Sequence, residues 1–291
     1  MDVFVAQVIN GLAIGSIYSL IVVGINLIIL VKGVVHFAYI HIMVLCMFIT
    51  WMVLQQTNNN FALAAMAGIV AAIVLVVATE PLFRPLAKRK AFLESLILGM
   101  GISIIITEVM SHQIHNGLPV SFPSSIVGGG AYFQAGPIFF SLAHVYTILG
   151  TIVAVILLFY FLYRHKEGRA MRAVAQDVSK SRLLGVPLNK AGIYSFAIGG
   201  LLAGVTAVFM AMTLGSASAT LGDSLAIKAI IVALFAGMGN LKGGVICALL
   251  IGVAEALVAA YLPGRWTEAI VFGAVMIVII TRPRGVFGTQ A

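Results

Sequence analysis

Charge is what this sequence has least of. Only 9% of its 291 residues are Asp, Glu, Lys or Arg. Soluble chains carry about a quarter charged residues, so a water-facing globular fold is excluded. Two cysteines, Cys46 and Cys247, both lie in apolar runs. They read as small core residues rather than a disulfide or metal pair. The chain has no G-x-x-x-x-G-K-[ST] loop, no H-E-x-x-H and no G-x-S-x-G. It therefore lacks the phosphate cradle of an ATPase and two common hydrolase motifs. The histidines are scattered, and no metal site is expected. Before the first apolar run there is Asp2 and no basic stretch. That run is long enough to span and reads as its own insertion signal.

What is present is apolar sequence: 62% of residues are hydrophobic and the mean hydropathy is +1.13. A spanning helix needs about 20 such residues. Nine apolar stretches occur, roughly 5–30, 36–54, 61–82, 91–112, 145–163, 191–214, 224–238, 243–262 and 267–281. The run 224–238 would make about 22 Å of helix, too short to span upright. The fold class expected is an all-α polytopic membrane protein, one domain over 1–291. It would have about eight transmembrane helices plus a short or re-entrant helical segment.

The net charge of +8 does not mark a nucleic-acid surface, because the basic residues sit in short gaps between apolar runs. Alternate gaps hold fifteen of the 17, and three of the opposite gaps hold none. By the positive-inside pattern the N-terminus is outside and the C-terminus is cytoplasmic. The segment 113–144 is then the longest extracytoplasmic loop. Its Pro119, Pro123, Gly128, Gly129, Gly130 and Pro137 argue against a long helix.

The largest cytoplasmic piece, 164–190, carries seven Lys and Arg. Its first half is rich in helix formers. Asp177 or Ser179 can cap a second short helix, Gly185 can end it in a left-handed position, and Pro187 stops it. Leu183, Leu184 and Val186 give it an apolar tip. A solvated loop that only fixes topology and a segment pushed by a soluble partner both fit this composition.

Lys228 and Glu255 fall inside apolar helices. From the turn Gly237, Gly239, Gly243 and Gly244 they lie about 16 and 20 Å along the two arms of a hairpin. They are expected to approach, as a structural ion pair or as a gating pair. Asn26, His36, Tyr39 and His41 interrupt the apolar pattern near the first break. His36 and Tyr39 would share a helix face. These four are candidates for a translocation path, or for bonds between helices.

Four motifs in order carry a resemblance. Asn10-Gly11 through Gly15, Tyr18 and Leu20 open the chain. Gly168-Arg169-Ala170-Met171-Arg172-Ala173, with Asp177 and Leu183-Leu184-Gly185-Val186, follow. Lys228-Ala229, Gly237-Met238-Gly239, Gly243-Gly244 and Gly252 to Leu257 form the third, and Arg282-Pro283-Arg284-Gly285-Val286-Phe287-Gly288 the last. Together the chain resembles the membrane subunits of bacterial branched-chain amino acid ABC importers, the Liv-type permeases. The resemblance implies a non-enzymatic subunit of the inner membrane that provides a path for a small solute. It implies a second permease subunit, same or related, an extracytoplasmic binding protein, and two cytoplasmic ATPase subunits that bind ATP and Mg. Glu167, Gly168, Arg172, Asp177, Leu183, Leu184 and Gly185 would belong to the coupling segment. The family's N-F-A-H-G is here His36-Phe37-Ala38-Tyr39-Ile40. Urea, short amides and small carboxylates therefore stay open beside amino acids as solute. An ion-coupled secondary transporter is the alternative class.

Overall fold

The computed structural model describes residues 2–123, 132–135, 138–282 and 285–288. Among the described residues nine apolar helices form the bundle: α1 (Asp2–Lys32), α2 (Ala38–Gln56), α3 (Phe61–Arg89), α4 (Phe92–Gln113), α5 (Leu142–Arg164), α8 (Leu188–Leu214), α9 (Leu221–Ala236), α10 (Leu241–Tyr261) and α11 (Thr267–Thr281). Two short helices, α6 (Lys166–Gln176) and α7 (Val178–Leu183), fill the basic segment. Among the described residues, seven helices are long and apolar enough to cross a membrane. The remaining two, α9 with 16 residues and α11 with 15, are shorter.

Among the described residues between α4 and α5 there is no long helix. They include β1 (Val120–Ser121) and the hairpin β2 (Tyr132–Ala135) with β3 (Ile138–Ser141). β1 pairs antiparallel with β4 (Ser216–Ala217), which follows α8. Of the glycine and proline residues noted there, Gly128 to Gly130 and Pro137 lie outside the described residues.

Helix α3 contains Pro81 and runs seven residues past the expected end, through Pro85. Lys88 and Arg89 in its last turn complement the negative end of the helix dipole, and Lys90 closes it in the left-handed conformation. Helix α2 starts later than the apolar pattern implied, because residues 33–36 form no helix. They are apolar enough to be buried anyway: Val34, Val35 and His36 are all inside. An extended segment and a helix are equally hydrophobic here, and only backbone geometry tells them apart.

Small residues set the packing. The Gly11 and Gly15 faces of α1 lie against the backbone of Gly252, Val253 and Leu249 on α10, and Gly244 lies against Val22 and Asn26. On the other side, Gly200 and Gly204 of α8 lie against Ile73 and Ile69 of α3. Both crossings are antiparallel and so close that an added methyl would strike backbone.

These crossings reveal a repeat. Helices α1 to α4 correspond in order to α8 to α11. α1 packs on α10 and α3 packs on α8, so the pairing is unchanged when the halves are exchanged. α1 and α8 are antiparallel, with Lys32 beside Gly192 and Ile28 beside Gly199. Each ends at a glycine of φ +68°, Gly33 and Gly215. A short non-helical stretch follows each, then a helix, α2 or α9. Inverted repeats with broken helices are a recurrent transporter design.

Candidate functional site

The four polar residues near the first break are fully buried in this chain, and each meets a neighbouring element. Asn26 uses both ends of its amide on the α9–α10 turn: Nδ2 donates to the Asn240 carbonyl at 3.3 Å, and Oδ1 accepts from the Gly239 amide at 3.1 Å. Gly237 and Gly239 hold that turn at positive φ, and Asn240 caps α10 through the Gly243 amide. The C-terminal stretch closes over it. Asn240 Nδ2 donates to the Phe287 carbonyl at 2.7 Å, and the Val286 and Phe287 amides donate to the Phe235 and Ala236 carbonyls.

Tyr39 lies in a slot made by Gly24 of α1 and Gly199 of α8, and its hydroxyl donates to the Gly199 carbonyl at 2.9 Å. His36 precedes α2 rather than sharing its face, although its ring still meets the edge of Tyr39. It stacks on Phe83, and its Nε2 lies 2.7 Å from Thr79 Oγ1. The Thr79 proton is already given to the Val76 carbonyl, so His36 Nε2 is the donor. His41 Nε2 lies 2.9 Å from Asp223 Oδ1. Thus all four residues bond to α3, α8, α9 or the hairpin turn.

Lys228 Nζ lies 2.5 Å from Glu255 Oε1, bringing the two intramembrane charges together. Two further residues join them. Glu268 of α11 lies 3.0 Å from Lys228, and the Tyr18 hydroxyl donates to Glu255 Oε2 at 2.8 Å. A second ionic cluster was not singled out from the sequence. Glu80 of α3, only 1% exposed, accepts from Lys32 and Arg84, each at 2.6 Å. Its spacing to Arg84, one helical turn, was the available signal. Gly192 on α8 is what lets Lys32 reach it, since any β-carbon there would fall on the lysine stem. Among the described residues no three His, Cys, Asp or Glu gather as metal ligands.

The basic segment is a folded unit. Gly168 lets α6 cross directly over the Phe161 and Leu162 backbone. Arg172 donates to the Leu162 carbonyl at 3.0 Å and lies 4.2 Å over the Tyr163 ring. Asp177 caps α7 through the Lys180 amide at 2.9 Å. That bond holds its carboxyl below the usual carboxylate range. Leu184 ends α7 and Gly185 follows at φ +74°. Glu167 sits in the first turn of α6. The tip is bare: Leu183 is 88% and Leu184 81% exposed. So Gly168, Arg172 and Asp177 hold the segment, and the two leucines are what it presents.

A bundle of apolar helices with buried ion pairs and a rigid polar appendage points to transport. Residues 7–280 match the family described as branched-chain amino acid transport system / permease component. The chain belongs to this family. Relatives of this permease include the high-affinity branched-chain amino acid permease LivH of Salmonella typhimurium, 28% identical over 98% of this chain and 96% of that protein. BraD of Pseudomonas aeruginosa is 28% identical with the same coverage. A probable LivH of Methanocaldococcus jannaschii is 29% identical over 76% of this chain and 68% of its own length. No solved structure matches. The permease is a multi-pass inner-membrane protein and a transport component, not an enzyme.

Proposed function

We propose that this permease belongs to an ATP-binding-cassette importer for branched-chain amino acids. It would pair with a second permease, sit on two cytoplasmic ATPase subunits that bind ATP and Mg, and receive solute from an extracytoplasmic binding protein. The observation that carries the coupling is the tip of 164–187. Two leucines exposed on a capped, pinned pair of helices fit a groove on a soluble partner. Adjacent apolar side chains held out on a rigid segment suit contact with a partner surface better than solvent. The solute class is supported by LivH and BraD, branched-chain amino acid permeases that align over nearly their whole length. The orientation follows the positive-inside pattern, with the C-terminus cytoplasmic. An ion-coupled secondary transporter leaves the pinned segment without a task.

Affinity co-purification from native membranes, with ATPase assay of the recovered subunits, tests this. ATPase subunits should accompany the native chain and be lost with Leu184→Asp, which leaves the Asp177 cap and the Arg172 contacts untouched. Recovery of no ATPase with the native chain under mild conditions would sink the importer reading.

A further inference from the structure

The turn between α3 and α4 holds positive charge that no other described residue answers. Lys88, Arg89 and Lys90 follow one another there, all exposed. Arg84, one turn earlier, is already held by Glu80. Among the described residues the other three make no ion pair. Arg89 and Lys90 line a cavity of about 440 Å³ together with Leu86, Phe92, Leu93 and Glu94. Its size lies within the range of small-molecule sites. Among the described lining residues Glu94 is the one acid. It pairs with neither cation, so with Lys88 beside it the turn keeps a surplus of positive charge.

The apolar surroundings narrow what can fill this cavity. Leu93 lines it and also begins an exposed stripe on α4 that continues through Ile97, Met100 and Ile104. Spacings of four, three and four residues place them on one helix face. From Leu93 to Ile104 the stripe rises about 16 Å. That is close to one leaflet's share of a hydrocarbon core about 30 Å thick. On α3 the exposed residues Leu82, Ala78, Val74 and Val70 recede from the same turn at four-residue spacing. A water-soluble anion would use the cations and leave both stripes idle. Cations that only fixed topology would need neither the cavity nor the stripes.

We propose that the α3–α4 turn binds an anionic phospholipid, its phosphate on Arg89 and Lys90 and an acyl chain along the Leu93–Ile104 face of α4. Basic pockets between membrane helices take lipid headgroups in this way. With the positive-inside orientation the lipid belongs to the cytoplasmic leaflet; the site itself rests on charge and shape alone. A second permease chain laid over the same apolar face is the rival occupant, and it would leave the cations without a counter-charge.

The test uses the full permease complex in phosphatidylcholine vesicles. These carry a trace of phosphatidylglycerol or of phosphatidylcholine with a diazirine in its acyl chain, and adducts are located by mass on this chain. Phosphatidylglycerol adducts should exceed phosphatidylcholine adducts on residues 93–104. Arg89→Gln combined with Lys90→Asn should lower that excess by about fivefold for each charge removed. Asn is chosen because Lys90 has φ +53°, which asparagine tolerates. Lys166→Gln combined with Arg169→Gln removes two exposed cations of the basic segment and should leave the excess unchanged. Equal labelling by the two lipids, or the same loss in both double variants, would overturn the site. Loss of the excess in inorganic phosphate, but not in chloride of equal ionic strength, would show that the cavity takes a free anion and would overturn the lipid. A disulfide joining two permease chains through Ile97→Cys, with neither lipid labelling 93–104, would give this face to a second copy. Recovery of ATPase subunits with the native chain is read separately, so the importer reading stands or falls without this site.

Discussion

His41 and Asp223 hydrogen-bond at 2.9 Å, and each is the eighth residue after a left-handed glycine that ends a long helix, Gly33 or Gly215. They are equivalent positions of the two inverted halves, in contact with each other. The pseudo-two-fold axis therefore passes between them. His41 is fully buried, whereas Asp223 is 60% exposed, so this symmetric position is chemically asymmetric.

That contact predicts a graded series. Asp223→Asn keeps an oxygen that can accept from His41 and should be mild. Asp223→Ala leaves a buried imidazole N–H unpaired and should destabilise by about 1–3 kcal/mol. Gly222→Val should be at least as damaging, because even a β-carbon there comes within 2.8 Å of the His41 ring. Cys46 and Cys247 are free and buried. Their exposure to a thiol-reactive dye on heating in detergent therefore measures each variant.

Gly192→Ala should behave like loss of Lys32. The new methyl displaces the lysine stem, leaving Glu80 buried with Arg84 alone. Lys32→Ala and Gly192→Ala should each lower the melting temperature, and the double variant should be no worse than the more damaging single one. Additive losses would show that Gly192 matters for something other than this ion pair.

For Lys228 and Glu255, changing one partner should be worse than changing both. Lys228→Met leaves two carboxylates together, and Glu255→Gln leaves Lys228 on Glu268 alone. Losses of up to about 3–5 kcal/mol accompany breaking a buried pair from one side. Partial exposure here puts the expected value toward the lower end. The double variant should recover part of the lost thermal stability, and a strictly additive loss would refute the pairing.

Asn26→Leu keeps the volume and removes both bonds to the Gly239–Asn240 turn. Hydrogen exchange should rise in 237–243 and in the docked residues 285–288, with little change at Gly11 and Gly15 of the same helix. Unchanged protection of the turn would show that Asn240 and Phe287 hold it without Asn26.

The apolar helices were legible because hydropathy over about 20 residues reports them directly. Boundaries were less so. His36 opens the apolar run 36–54 by composition, yet with Val34 and Val35 it forms a buried non-helical stretch that follows the left-handed Gly33. In the basic segment Asp177 and Gly185 were legible because caps follow local backbone rules. Whether Gly168 and Arg172 face a partner or their own helix α5 was not legible, since that depends on a tertiary crossing. Glu80 escaped notice because it sits near the end of an apolar run, where a charge reads as an interfacial residue. The repeat left almost no trace in sequence. Packing constrains which residues are small, not their identity, and only the two glycines and their eighth residues mark it.

The pairing of α1 with α10 has a consequence for biogenesis. α1 leaves the ribosome long before α10, and it is apolar around its whole circumference and almost entirely enclosed in the finished bundle. The backbone it lies against belongs to the eighth of the nine apolar helices. During synthesis α1 must wait in lipid, or beside the insertion machinery, while more than two hundred residues follow. Such long-range closure is slow and leaves the chain open to quality control. The commitment of this permease to its native state is made late, when the Gly252 region arrives and finds Gly11 and Gly15 still free.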